Sequence, residues 1–144
     1  MKLDKKTISA LAEHLESAEL NARDVVKITD DHPDIDWDDA YAIQDEIRAR
    51  KEGRGVRIVV LKAGLTSHSK MKQMGVDTPV FGFLADYFSV PEGSAVKVNE
   101  LIHPKVEPEI AFVTKSDLRG PACTIATVLA ATDFVMPAIE VIGS

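Results

Sequence analysis

Three mostly apolar runs rich in β-branched residues, at 56–62, 105–115 and 134–142, constrain this chain more than anything else in it. Runs of this kind read as strands, and strands need neighbours to satisfy their backbone groups. They follow a first third with a different rhythm. Ile8, Leu11, Ala12, Leu15 and Ala18 recur at spacings of three and four, which predicts an amphipathic helix capped by Asp4 or Thr7. Asn21, Asp24, Asp30, Asp31, Pro33 and Asp34 then mark 21–35 as a turn-rich connection. A second helix is expected after Asp36 as N-cap, with Asp38 and Asp39 in its electropositive first turn. Arg48, Arg50 and Lys51 fall near its electronegative end, and Gly53 and Gly55 stop it. Trp37, Ala40, Tyr41, Gln44 and Ile47 are expected on its buried side.

Helices first and strands afterwards is the order of an α+β chain. Strand 56–62 ends in Ala63-Gly64-Leu65-Thr66-Ser67, a short helix covers 69–74 up to Gly75, and 77–84 reads as a loop with strand pieces. Strands are expected at 86–90 and 95–98, split by the turn Pro91-Glu92-Gly93-Ser94. A turn at 118–121 and a helix at 125–132 separate the last two long runs. The three long strands make about half of a barrel or roll. A strand rich in Val and Ile at the end of the chain lacks a following neighbour, so the chain reads as truncated. The alternative is a small open sheet whose edge a partner covers, and a truncated chain of this kind could also be a non-catalytic remnant that only assembles with a partner chain.

At 144 residues the chain is one domain in size. Seventeen basic against 23 acidic residues leave a formal charge of −6, which argues against a dedicated nucleic-acid binder and against anionic membranes. There is no apolar run of about 18 residues to span a bilayer. The charged start, MKLDKKTISALAEHLESAE, is not a secretory signal. The single cysteine, Cys123, excludes an internal disulfide framework and fits a reducing cytoplasm.

Glu107 and Glu109 carry the chemical signal. Two apart on a strand, they point to the same face, and adjacent carboxylates repel unless something positive lies between them. A hard divalent cation such as Mg²⁺ or Mn²⁺ would resolve this, because such ions take oxygen ligands. Glu140, flanked by Ile139 and Val141, is a third acid in an apolar run and needs a partner of its own. Three glutamates on one cation is an economical account; the alternative is a solvated strand face. Lys62 ends an apolar strand and either faces an anionic ligand or snorkels to water. Asp77 sits in a turn sequence. His103 is a lone histidine beside Pro104, and His14, His32 and His68 have no ligand spacing to one another. The glycines form no phosphate-cradling motif.

Four stretches in order, LKAGLTS (61–67), MGVDTPVFGFLADYFSVPEG (74–93), LIHPKVEPEIAFVTK (101–115) and DFVMPAIEVI (133–142), resemble the hydratase/decarboxylase family of the fumarylacetoacetase-like superfamily. The GFLADYFSVPEG stretch looks more like the decarboxylase branch, which acts on 4-oxalocrotonate, than the 2-oxopent-4-enoate hydratase branch. The resemblance runs along essentially the whole chain but reaches only the N-terminal half of a family member. It implies a helical cap at 1–55 and, at 56–144, the first part of a β-rich catalytic domain built as a mixed β-roll. It further implies a Mg²⁺- or Mn²⁺-dependent lyase of aromatic meta-cleavage catabolism acting on a small 2-oxo-dicarboxylate. Glu107, Glu109 and Glu140 fall on the family's metal ligands, Lys62 on its active-site lysine, and Asp77 on an acidic position near the substrate. A homo-oligomer and association with a hydratase partner are implied as well.

Overall fold

The computed structural model describes residues 2–143. They form two compact units, one up to Lys97 and one from Val98 onward.

The first unit is built on two helices that run parallel, Leu3 meeting Asp39 at one end and Glu16 meeting Arg50 and Arg54 at the other. Helix α1 (Lys5–Leu20) starts where the Asp4 side chain accepts the Thr7 N–H at 2.7 Å. A single-turn helix α2 (Ile28–Asp31) lies inside the stretch expected as pure connection. Helix α3 (Trp37–Gly53) opens on a reciprocal box: Asp39 N–H donates to Asp36 Oδ1 at 2.9 Å, and Asp36 N–H to Asp39 Oδ2 at 3.3 Å. Ile8, Ala12 and Ile43 form the core between the helices, with Leu11, Leu15, Ala42 and Ile47 packed against them. The buried face of α3 therefore centres on Ile43. Trp37 and Ala40, expected inside, are exposed, and Trp37 stacks on Tyr41 with ring centroids 6.4 Å apart. A helix stripe is defined only to within a residue by periodicity, and the line along which α1 crosses decides the rest.

Asp39 is fully buried because it also accepts the N–H groups of Lys2 (2.8 Å) and Leu3 (3.0 Å), tying the start of the chain to α3. Where the C-terminal ends of α1 and α3 meet lies a buried charge cluster. Glu16 of α1, 2% exposed, accepts from Arg50 Nε at 2.8 Å and from both terminal nitrogens of Arg54. Lys51, also 2% exposed, donates to Glu19 Oε2 at 2.7 Å and to the Tyr87 hydroxyl. That hydroxyl donates in turn to Glu19 Oε1 at 2.6 Å, and the Lys51 ammonium lies 5.2 Å from the Tyr87 ring centroid.

Strand β1 (Ile58–Gly64) pairs antiparallel with β2 (Val80–Ala85), from Ile58 opposite Ala85 to Gly64 opposite Val80, with an irregularity between Ile58 and Val60. Helix α4 (His68–Met74) connects them; Ser67 Oγ caps it, and Gly75 ends it at φ 71°. The expected strand at 86–90 is a 3₁₀ turn, Asp86–Phe88. Tyr87 and Phe88 turn out of the ribbon to meet Lys51, a long-range contact that overrides the local β propensity of the segment. No strand forms at 95–98 either; a 3₁₀ turn, Val98–Glu100, follows.

In the second unit, β3 (Lys105–Thr114) pairs antiparallel with β4 (Thr132–Ile142), from Lys105 opposite Ile142 to Thr114 opposite Thr132. Helix α5 (Ile125–Ala131), capped by Thr124, leads straight into β4. The chain thus mixes helix and strand as expected, but each pairing among the described residues is antiparallel, in two separate ribbons.

The first unit carries an acid-sensitive set of carboxylates. The Arg54 guanidinium, helped by Arg50 and opposed by burial, holds Glu16 below its ordinary 4.5. Burial pushes Asp39 up, but the backbone N–H groups of Leu3, Lys2 and Asp36 outweigh it and hold the group below 3.8. Depressed carboxylates stabilise the fold above their unfolded values, and that contribution is lost as pH falls through the folded ones. The urea midpoint of this unit should therefore be flat from about pH 6 to 8 and fall steadily below about pH 4.5. A midpoint unchanged at about pH 3 would contradict the assignment.

Candidate metal centre

The acidic cluster is produced by strand register. Side chains at i and i+2 share a face, which puts Glu107 and Glu109 side by side on β3. The β3–β4 pairing sets Glu140 directly opposite Glu107, and directly opposed residues also share a face. One carboxylate oxygen from each of Glu107, Glu109 and Glu140 lies within 4.8 Å of the others. Glu107 is exposed; Glu109 and Glu140 are half-buried. Among the described residues no histidine or cysteine joins the group, so His103 is outside it.

Like charges placed opposite one another weaken a strand pair, so the ribbon carries this cluster against its local preference. The donor set fits a hard divalent ion. All three ligands are carboxylate oxygens, and their separations are those of oxygens sharing one cation with bond lengths of about 2.0–2.6 Å. The opposite face of the same ribbon holds no charged side chain between Val106 and Phe112 on β3 or between Val135 and Val141 on β4.

Lys62 is positioned in the first unit. It is half-buried on β1, opposite Gly82. A Cβ at Gly82 would lie 3.6 Å from Gln44 Oε1, so Lys62 shares the ribbon face that looks toward α3. The Tyr41 hydroxyl fixes that packing by accepting the Phe81 N–H at 3.2 Å. Asp77 is exposed, at a bend between α4 and β2. Sequence reasoning took Tyr41 and Gln44 only as buried-face residues and missed their role in seating the lysine ribbon. It also missed the Glu16–Lys51–Tyr87 cluster. Its one local signal is an acid, Glu16, inside the Ala12–Leu15–Ala18 stripe.

No helix among the described residues is long and apolar enough to cross a membrane. No family model matches the chain. Individual proteins do. The 4-oxalocrotonate decarboxylase of Pseudomonas sp. (strain CF600) is 59% identical over 142 residues, which are 99% of this chain and 54% of that protein. A 2-hydroxyhexa-2,4-dienoate hydratase of Comamonas testosteroni is 39% identical over 143 residues, 98% of this chain and 54% of the hydratase. The solved 4-oxalocrotonate decarboxylase from Pseudomonas putida G7, complexed with magnesium and adipate, superposes with a TM-score of 0.93 at 57% identity. That match covers 99% of this chain and 54% of the solved one. The same enzyme has been solved with calcium and acetate. The chain therefore spans about half the length of the relatives it matches.

Proposed function

We propose that this chain supplies the metal-binding part of a 4-oxalocrotonate decarboxylase. One observation carries the reading. Three glutamates converge within 4.8 Å, in a chain 59% identical to a decarboxylase and structurally similar to one that binds magnesium. The lower identity to hydratases, 37–41%, favours decarboxylation over hydration.

Loss of the distal carboxylate of 2-oxohex-3-enedioate breaks one carbon–carbon bond. CO₂ leaves, and the electron pair moves through the alkene to the 2-oxo oxygen, which takes up a proton to give 2-hydroxypenta-2,4-dienoate. A bound Mg²⁺ or Mn²⁺ supplies Lewis-acid polarisation of that oxygen. Glu107, Glu109 and Glu140 are the residues that would hold it. Lys62 balances substrate charge or delivers the proton, and Asp77 orients water or selects for the distal carboxylate. We assign residues 1–55 to a cap and 56–144 to the β-rich catalytic domain of the fumarylacetoacetase-like roll. We place the protein in the cytoplasm, in meta-cleavage catabolism of aromatics. There it would form homo-oligomers and work beside the hydratase that consumes its product.

The test is product analysis with 2-oxohex-3-enedioate and Mg²⁺. CO₂ release with accumulation of 2-hydroxypenta-2,4-dienoate is expected. Conversion of that dienoate into 4-hydroxy-2-oxopentanoate, without CO₂ release from the diacid, would assign the chain to the hydratases instead.

A further inference from the structure

Lys62 stands beside a gap in its own ribbon. The position directly across the ladder is Gly82, so no side chain faces it there. A Cβ built on Gly82 would meet Gln44 Oε1 at 3.6 Å and, outside the adjoining residues, no other atom within 4 Å. Val80 and Leu84, two residues to either side on β2, point to the same face as that missing side chain. The result is a slot with a glycine floor and apolar ends, Lys62 along one flank and the Gln44 carboxamide over it.

The frame around the slot is fixed at two points. One residue from Gly82, the Phe81 N–H donates to the Tyr41 hydroxyl. Past the end of β2, Lys51 and Glu19 hold the Tyr87 hydroxyl. Tyr41, Gln44 and Lys51 share one face of α3, so Gln44 sits between the two anchors. Yet among the described residues no hydrogen bond engages its own carboxamide, and none of its polar atoms is both buried and unpartnered. The oxygen faces Gly82, and half a turn about the terminal bond presents two N–H donors there instead. A neutral double donor beside a flexible cation is a matched set for one carboxylate. A floor without a Cβ, between apolar residues, suits a flat, unbranched carbon chain behind that carboxylate.

We propose that Gln44 is a specificity-determining residue, donating an amide N–H to a carboxylate oxygen of the ligand in the slot over Gly82 while Lys62 balances the charge. The proposal rests on the decarboxylase reading only for the ligand being a small dicarboxylate. Its test uses adipate, the saturated six-carbon diacid, added to the 144-residue chain in the presence of a chelator and followed by the side-chain amide signals in NMR. The chain has two glutamines, and the exposed Gln73 is the internal control. A saturable shift of the Gln44 amide with Gln73 unmoved is expected. Gln44→Met, similar in length but without donors, should weaken binding at least about tenfold. Gly82→Ala should weaken it at least about fivefold, because the methyl occupies the floor. That methyl makes only an ordinary contact with Gln44, so the urea midpoint should match the parent. A Gln44 amide unmoved by adipate would overturn the proposal, as would parental affinity in Gln44→Met or in Gly82→Ala. Neither metal nor turnover enters these measurements, so such results leave the decarboxylase reading standing. A chain that binds adipate through Gln44 but releases no CO₂ from the unsaturated diacid would overturn that reading alone.

Discussion

Glu107→Gln should lower Mg²⁺-dependent CO₂ release by about a thousandfold in a protein that carries the whole catalytic domain. Lewis-acid stabilisation of a developing oxyanion is worth several kcal/mol, and about 4 kcal/mol corresponds to three powers of ten. Glu107 faces Glu140 directly and shares its strand face with Glu109, so it belongs to two of the three pairs in the cluster. Gln keeps the size and one oxygen but removes the charge, and the remaining two carboxylates form a far poorer site for a hard dication. Titration calorimetry on the 144-residue chain separates binding from turnover. Mg²⁺ affinity should fall in the variant while the β3–β4 ribbon persists, its like-charge repulsion relieved. Parental Mg²⁺ affinity in Glu107→Gln, or turnover unaffected by chelator, would sink the metal assignment.

The second large effect is on stability. Glu16→Ala should cost the first unit about 3 kcal/mol, the low end for breaking a buried ion pair by removing one partner. Three cations, Arg50, Lys51 and Arg54, converge on this one buried carboxylate. Arg50 and Arg54 can swing toward water, but Lys51 cannot, and it would be left with Glu19 and Tyr87. Lys51→Met should cost only about 1 kcal/mol, because an apolar chain of similar length fills the space and Glu16 keeps both guanidinium partners. Urea unfolding followed by helical circular dichroism measures both. Equal costs would mean that the cluster is held by packing alone. The network also pins Tyr87, and through it the end of β2, to the α1–α3 pair. Loosening it should therefore be felt in the ribbon that carries Lys62.

Much of the candidate site was legible in the sequence. The Glu107–Glu109 pairing follows from strand geometry, which needs only the knowledge that 105–115 is a strand. The isolated Glu140 announced itself as an acid without a local partner. Lys62 at the end of an apolar run was equally visible, although its neighbours Gln44 and Tyr41 were not. The fold was legible where signals are local. Asp4, Asp36 and Gly75 cap or end helices where expected, because each needs only a few adjacent backbone groups. The strands expected at 86–90 and 95–98 failed for the opposite reason: short apolar alternation is cheap to override, and distant contacts decided it.

The capped starts of α1 and α3, the long strands β1, β3 and β4, and the pairing of two glutamates on one face were settled by the sequence itself, because they depend on steric and hydrogen-bonding rules acting over a few residues. The register that sets Glu140 against Glu107 was decided only by the tertiary structure. So were the side of α3 that is buried and the meeting of Glu16, Lys51 and Tyr87. These depend on which of many near-equivalent surfaces come together, and a one-residue slip in the β3–β4 ladder would have sent Glu140 to the apolar face instead.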